Sequence, residues 1–249
     1  MDAFDVQKLG YRWLRRAIGM LGMALPIALL GVCHESGDCR EATSISGYFH
    51  TDMRFLFVTI MVLLAVLLFA YPGYDEDDDF AGHLAGTFAM GVAIFPTNAD
   101  GTPMDFRAWV HIICAAAMFL LLAVFCLFLF RRTDADRKPR ARNVLAGARG
   151  FLKLPKGSPV ADTRKHKRNR LFAICGFVIV ACVLGMLAFA IATWNAPADP
   201  SSRFIWWCET IALVAFGFAW NVKGDMILAD QQPEAAAVPV GSAARSASD

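Results

Sequence analysis

Six apolar stretches, at about residues 17–32, 53–71, 80–96, 106–130, 171–194 and 203–222, alternate with polar or Pro/Gly-rich segments. Each approaches the roughly 20 residues a helix needs to cross a bilayer core. The pattern predicts an all-α polytopic membrane bundle of six transmembrane helices. The second stretch is the plainest, with no charge from Phe55 to Tyr71. The third is short and rich in small residues. Gly82 and Gly86 form one small step, and Ala81, Ala85 and Ala89 another. Such ridges let helices approach closely in lipid, so this span belongs near the centre of the bundle.

The punctuation agrees with this division. Pro72 to Asp79, P-G-Y-D-E-D-D-D, predicts a tight acidic turn. Phe95 to Asp105 predicts a second turn, marked by Pro96, Gly101 and Pro103. Asp105 is a candidate N-cap for the fourth helix, and Ser201 or Ser202 for the last.

Composition supports the membrane reading. The 249 residues are 57% hydrophobic with mean hydropathy +0.45, against about 45–50% apolar in soluble domains. The net charge of +2 conceals an asymmetry. Fourteen of the 24 Lys and Arg lie between Arg131 and Arg170, opposed by Asp134, Asp136 and Asp162. Beside membrane spans, the positive-inside bias accounts for such a run, and no nucleic-acid partner is expected. Both termini are then cytoplasmic, and only Arg40, Arg54, Arg107 and Arg203 remain outside.

The expected organisation is a cytoplasmic amphipathic lead at 1–16 and a transmembrane domain at 17–224 interrupted by the basic cytoplasmic loop 131–170. A disordered tail follows at 225–249. Basic residues ahead of Ala17–Val32 also suit a signal peptide, but no small-residue cleavage site follows, so the stretch is read as a retained first span. The expected location is the cell (inner) membrane, multi-pass. Cys33 and Cys39 lie outside the apolar runs and face an oxidising space. They are either bonded to each other or two free thiols. The other five cysteines fall within spans, where Cys serves as a small hydrophobe.

Candidate chemistry gathers at the outer half of three spans. Ser46, Tyr48, His50, Asp52 and Arg54 crowd the mouth of the second. His111 lies six residues beyond Asp105, about 9 Å down the fourth, and Glu209 eight beyond Ser201, about 12 Å down the sixth. A carboxylate at bilayer depth is costly and usually faces the bundle interior with a partner. Glu209 is therefore the strongest single signal. It suits a proton carrier, a metal ligand or an acid–base residue, or a structural hydrogen bond to His111, Tyr48 or a neighbouring arginine. Arg54, Arg107 and Arg203 could receive a phosphate or carboxylate headgroup, or snorkel to the interface. His50, His111 and Glu209 could together supply two imidazoles and a carboxylate to zinc. His83 belongs to the opposite end. No phosphate-cradling Gly loop, dinucleotide fingerprint or C-x-x-C pair occurs, which disfavours nucleotide-driven enzymes.

The string S-I-S-G-Y-F-H-T-D-M-R-F at 44–55 leads a set of further matches: G-Y-D, A-G, I-F-P-T, His111 and W-W-C-E-T-I-A-L-V-A-F-G-F-A-W-N-V-K-G. Together they resemble an uncharacterised family of bacterial six-span integral membrane proteins. The resemblance covers most of Ile45–Gly224 outside the basic loop and implies the fold, not an activity. Ser46 and His50 also carry a remote similarity to the ceramidase and progestin-receptor-like membrane hydrolases. The chain departs from that superfamily in lacking H-x-x-x-H and in having six spans rather than seven. The expected function is binding or moving a small polar or lipid-headgroup ligand at an outward pocket. The alternatives are a metal-dependent lipid hydrolase and a structural membrane subunit.

Overall fold

The computed structural model describes residues 3–36, 42–73, 75–99, 102–132, 163–194 and 202–227. Among these residues the fold is all-α, with no strand. Six helices follow in order: α1 (Ala3–Ser36), α2 (Arg54–Ala70), α3 (Glu76–Ile94), α4 (Phe106–Val124), α5 (Thr163–Ala192) and α6 (Phe204–Lys223). A 3-10 turn, Ser46–His50, precedes α2, and α4 runs into a π-helical turn, Phe125–Leu129. Four helices are long and apolar enough to cross a membrane: Leu9–Gly31 within α1, Phe106–Leu129, His166–Ala192 and Phe204–Lys223. Arg54–Ala70 is apolar but shorter.

The helices close into a ring. Each packs on its neighbours in sequence, and α1 packs on α6. Neighbours run antiparallel, as their paired ends show. Asp75 at the start of α3 meets Arg132 beyond the end of α4. Phe95 at the end of α3 meets His111 near the start of α4. Arg16 in α1 bonds the Gly224 carbonyl beyond α6 at 2.9 Å. The bundle thus has a Thr97 end, with residues 42–53, 95–99 and 102–105, and an Asp225 end.

Small residues set the closest approaches. A Cβ on Gly82 would lie 3.1 Å from the Leu68 carbonyl, and one on Gly86 would lie 3.0 Å from the Ala65 carbonyl. The expected ridge of α3 is therefore the face that meets α2. Between α1 and α6, Gly217 lies against the Gly19 carbonyl, where no Cβ would fit.

The basic lead and the first apolar run form one helix, α1, continuous through Pro26. Three local expectations need correction. Glu76–Asp79 is not a turn but the first turn of α3. Asp75 caps it, accepting the Asp78 N–H at 3.0 Å, and acidic side chains suit a helix N-terminus. The loop ends sooner than expected, because α5 starts at Thr163 within the basic run. For α6 the N-cap is Arg203, with no side-chain cap bond, not Ser201 or Ser202. Asp105 does cap α4, accepting the Ala108 N–H at 2.8 Å. Cys33 falls within α1, but Cys39, and with it any pairing of the two, lies outside the described residues, as do residues 133–162 of the loop and the tail from 228.

The Asp225 end is held by aromatic and ionic packing. Trp220 stands 4.9 Å from Tyr71, 5.3 Å from Phe125 and 5.1 Å from Phe130, centroid to centroid. The π-turn starts on Phe125 and is capped by Phe130, its closing bond running from the Phe130 N–H to the Phe125 carbonyl at 2.9 Å. Arg132, its side chain 8% exposed, pairs with Asp75 at 3.2 Å and Asp77 at 3.0 Å. Arg168 at the start of α5 and Arg12 in α1 both reach Asp225, at 3.3 and 3.5 Å.

Candidate functional site

Ser46, His111 and Glu209 line one small cavity in the middle of the ring. Its remaining walls are apolar, among them Leu25 of α1, Phe57 and Met61 of α2, Val92 of α3, Met118 of α4 and Leu213 of α6. Helical rise predicts similar depths for His111 and Glu209, and the two side chains face the same space. Both are nearly sealed from the surface, at 2% and 8% exposure.

Glu209 is held from the loop between α1 and α2. Its Oε2 accepts the Ile45 N–H at 2.5 Å, and its Oε1 accepts the Ser46 hydroxyl at 3.4 Å, a long and weak contact. The Ser46 N–H also turns toward the carboxylate. These donors open the 3-10 turn Ser46–His50, whose own N-cap, Ile45, offers no side-chain acceptor. The first N–H groups of any helical turn lack internal partners. Glu209 supplies the missing acceptor from another helix. Nearby, Ser44 Oγ takes the Gly47 N–H at 2.9 Å, and the Trp206 N–H donates to the Thr43 carbonyl at 3.2 Å. Loop and helix are joined along a short seam.

His111 is held from the other side. Its Nδ1 donates to the Phe95 carbonyl at 2.7 Å, and the ring also lies beside the Val92 carbonyl. A carbonyl oxygen only accepts, so Nδ1 carries a proton, and in the neutral ring Nε2 then presents a lone pair. Nε2 is buried and has no hydrogen-bond partner.

The other expected residues sit farther out. His50 is exposed, with Nε2 donating to the Thr97 carbonyl at 2.7 Å, and it does not line the cavity. Tyr48 is fully buried beneath the 3-10 turn, next to Trp206. Asp52 and Arg107 are exposed. Arg54 is exposed as well, its guanidinium 4.3 Å over the Phe49 ring. The arginines therefore stand at the surface of the Thr97 end, not around the cavity. Arg203, the N-cap of α6, is half-buried.

The zinc expectation fares poorly on geometry. Among the described residues no group of three or more His, Cys, Asp or Glu is placed to hold a metal ion. His50, His111 and Glu209 fail for stated reasons: His50 is spent on Thr97, and Glu209 gives its shortest bond to the Ile45 backbone. The five described cysteines, at 114, 126, 175, 182 and 208, are free.

Two features were not foreseen. One is that the partner of Glu209 is a backbone turn, which no side-chain pattern announces. The other is the Arg132–Asp75–Asp77 cluster, whose trace in sequence was the acidic run itself. The fold and site together define a membrane-type helical bundle with a small, mostly apolar cavity that holds His111 and Glu209. Comparison of the chain with family models, curated proteins and solved structures gave no match.

Proposed function

We propose that the chain is a multi-pass protein of the cell's inner membrane, with six spans and both termini cytoplasmic, that binds or moves a small polar ligand in the His111–Glu209 chamber. One observation carries the reading: a buried ring nitrogen without a partner and a buried carboxylate face one cavity in an otherwise apolar bundle. Burying such groups is unfavourable unless something completes their hydrogen bonds. The cavity is too small for a lipid headgroup as it stands, which favours the small-ligand form of the reading over the headgroup form.

The six-span count is supported by how the ends of α3 are tied. That helix is not among the four apolar ones, yet Asp75 and Phe95 bind it level with the two ends of α4. Its 19 residues measure about 28 Å, close to a hydrocarbon core.

A second reading, a structural membrane subunit, is favoured by the capping bond from Glu209 to Ile45. The test is unfolding of the full chain in lipid nanodiscs, followed by tryptophan fluorescence, against glycerol, methylammonium chloride and sodium phosphate. A saturable rise in Tm with any of these, lost in His111→Phe, supports a ligand pocket. No saturable rise, or one that survives in His111→Phe, leaves the structural reading.

A further inference from the structure

The chemistry of the chamber narrows what it can hold. Its two buried polar side chains, His111 and the ionised Glu209, both present acceptors. His111 presents a lone pair at Nε2, because Nδ1 is committed as donor to Phe95. Glu209 Oε1 receives the Ser46 hydroxyl at a distant 3.4 Å, so it has lone pairs to spare. Of the rest of the lining only Ser46 carries a polar side chain, its hydroxyl directed at Glu209 Oε1, while Leu25, Phe57 and Met118 offer neither donor nor acceptor side chains. With Glu209 ionised, an anion would meet two acceptors and a single donor, the Ser46 hydroxyl already directed at Glu209. A species with two N–H or O–H groups would satisfy both walls at once.

We propose that the chamber is a binding site for a small hydrogen-bond donor, bridging His111 Nε2 and the Glu209 carboxylate. The inference rests on the ligand-pocket reading and names the ligand's chemistry. Two sources share that chemistry: an internal water, or a primary ammonium in its place. Water with two polar partners in a buried polar cavity is an ordinary structural element. The same pair of acceptors would hold an ammonium by a charge-assisted bond to the carboxylate.

The test is NMR of the full chain in nanodiscs with 15N-labelled histidine, the His111 signals being assigned by their loss in His111→Phe. The expected result is a protonated Nδ1, a bare Nε2 and magnetisation transfer from water to the His111 ring. Methylammonium chloride is then titrated, with tetramethylammonium chloride and sodium phosphate as probes lacking the donors. Transfer from water without a methylammonium response identifies water as the occupant. A saturable methylammonium shift, absent with tetramethylammonium, identifies the ammonium. Either outcome should change in Glu209→Gln, which keeps an acceptor for Ile45 but replaces one oxygen by a donor. A protonated Nε2 with bare Nδ1 would overturn the proposal, as would a chamber with neither water transfer nor amine response. A saturable shift with phosphate would overturn it too, while leaving the ligand-pocket reading intact.

Discussion

Glu209 Oε2 accepts the backbone N–H of Ile45 at 2.5 Å, so a side chain on α6 caps the 3-10 turn that leads into α2. The bond explains how a carboxylate persists inside an apolar bundle: backbone donors stand where solvent would otherwise be needed. It also joins the loop 42–47 to the chamber wall. Whatever occupies the chamber therefore touches the group that holds that loop.

The cap makes a graded prediction. Glu209→Leu leaves the Ile45 N–H buried without an acceptor, which costs about 1–3 kcal/mol. Glu209→Gln keeps an acceptor oxygen and should lose clearly less. Equilibrium unfolding of both variants in the same detergent measures the difference. Equal losses would show that the charge, not the cap, stabilises the turn.

The glycine contact between α1 and α6 predicts an opposite pair. A Cβ at Gly217 would press on the backbone carbonyl of Gly19, which cannot move aside as a flexible side chain would. Gly217→Ala should therefore destabilise by about 1–3 kcal/mol through overpacking. A Cβ at Gly31 meets nothing within 4 Å. Gly31→Ala should be neutral or stabilising by up to about 1 kcal/mol, as helix propensity dictates. Thermal unfolding of the two variants side by side reads the contrast.

How much of this could be read from residues alone depends on where the signal lies. Long apolar runs announce α4, α5 and α6, and Asp105 announces the start of α4, because those signals are local. The Gly82–Gly86 ridge was legible for the same reason: small residues four apart have one main use in such a helix. Depth along a helix also placed His111 and Glu209 together, since it follows from rise alone. The rest is set by tertiary partners. Asp75–Asp79 reads as a turn when its charges are counted against a span, yet Arg132, more than fifty residues on, helps neutralise the start of a helix there. His50 sits near the site in sequence, but the Thr97 carbonyl turns it away.

The buried ion cluster at the Asp225 end gives a third prediction. Arg132→Met leaves Asp75 and Asp77 buried without their shared cation. Breaking one side of such a group costs about 3–5 kcal/mol. Adding Asp77→Asn to Arg132→Met removes one of the stranded charges and should recover part of the loss, whereas independent residues would only add their costs. Asp75 is kept in both variants because it also caps α3. A double-mutant cycle from unfolding midpoints checks the sign, and simple additivity would sink the claim of a coupled cluster.

The last prediction concerns how many helices cross. Composition marks four, and α3 fails on its acidic first turn although α2 fails only on length. Geometry relates these two helices to a helix that passes. Asp75 and Asp77 meet Arg132 beyond one end of α4, and the Phe95 carbonyl meets His111 near the other. The Gly82 and Gly86 contacts then hold α2 against α3 over the same depth. If α4 crosses a bilayer, α3 must cross with it, and α2 must return the chain to the side of Thr97. A reporter inserted after Tyr74 should therefore share a side with one inserted after Arg149, and both should oppose one inserted at Gly101. The basic run from Arg131 to Arg170 further predicts that the shared side is the cytoplasm. Reporters after Tyr74 and at Gly101 on one side would mean that α3 does not cross. The chamber would then lose the helix that positions His111, and the ligand-pocket reading would fall with the six-span topology.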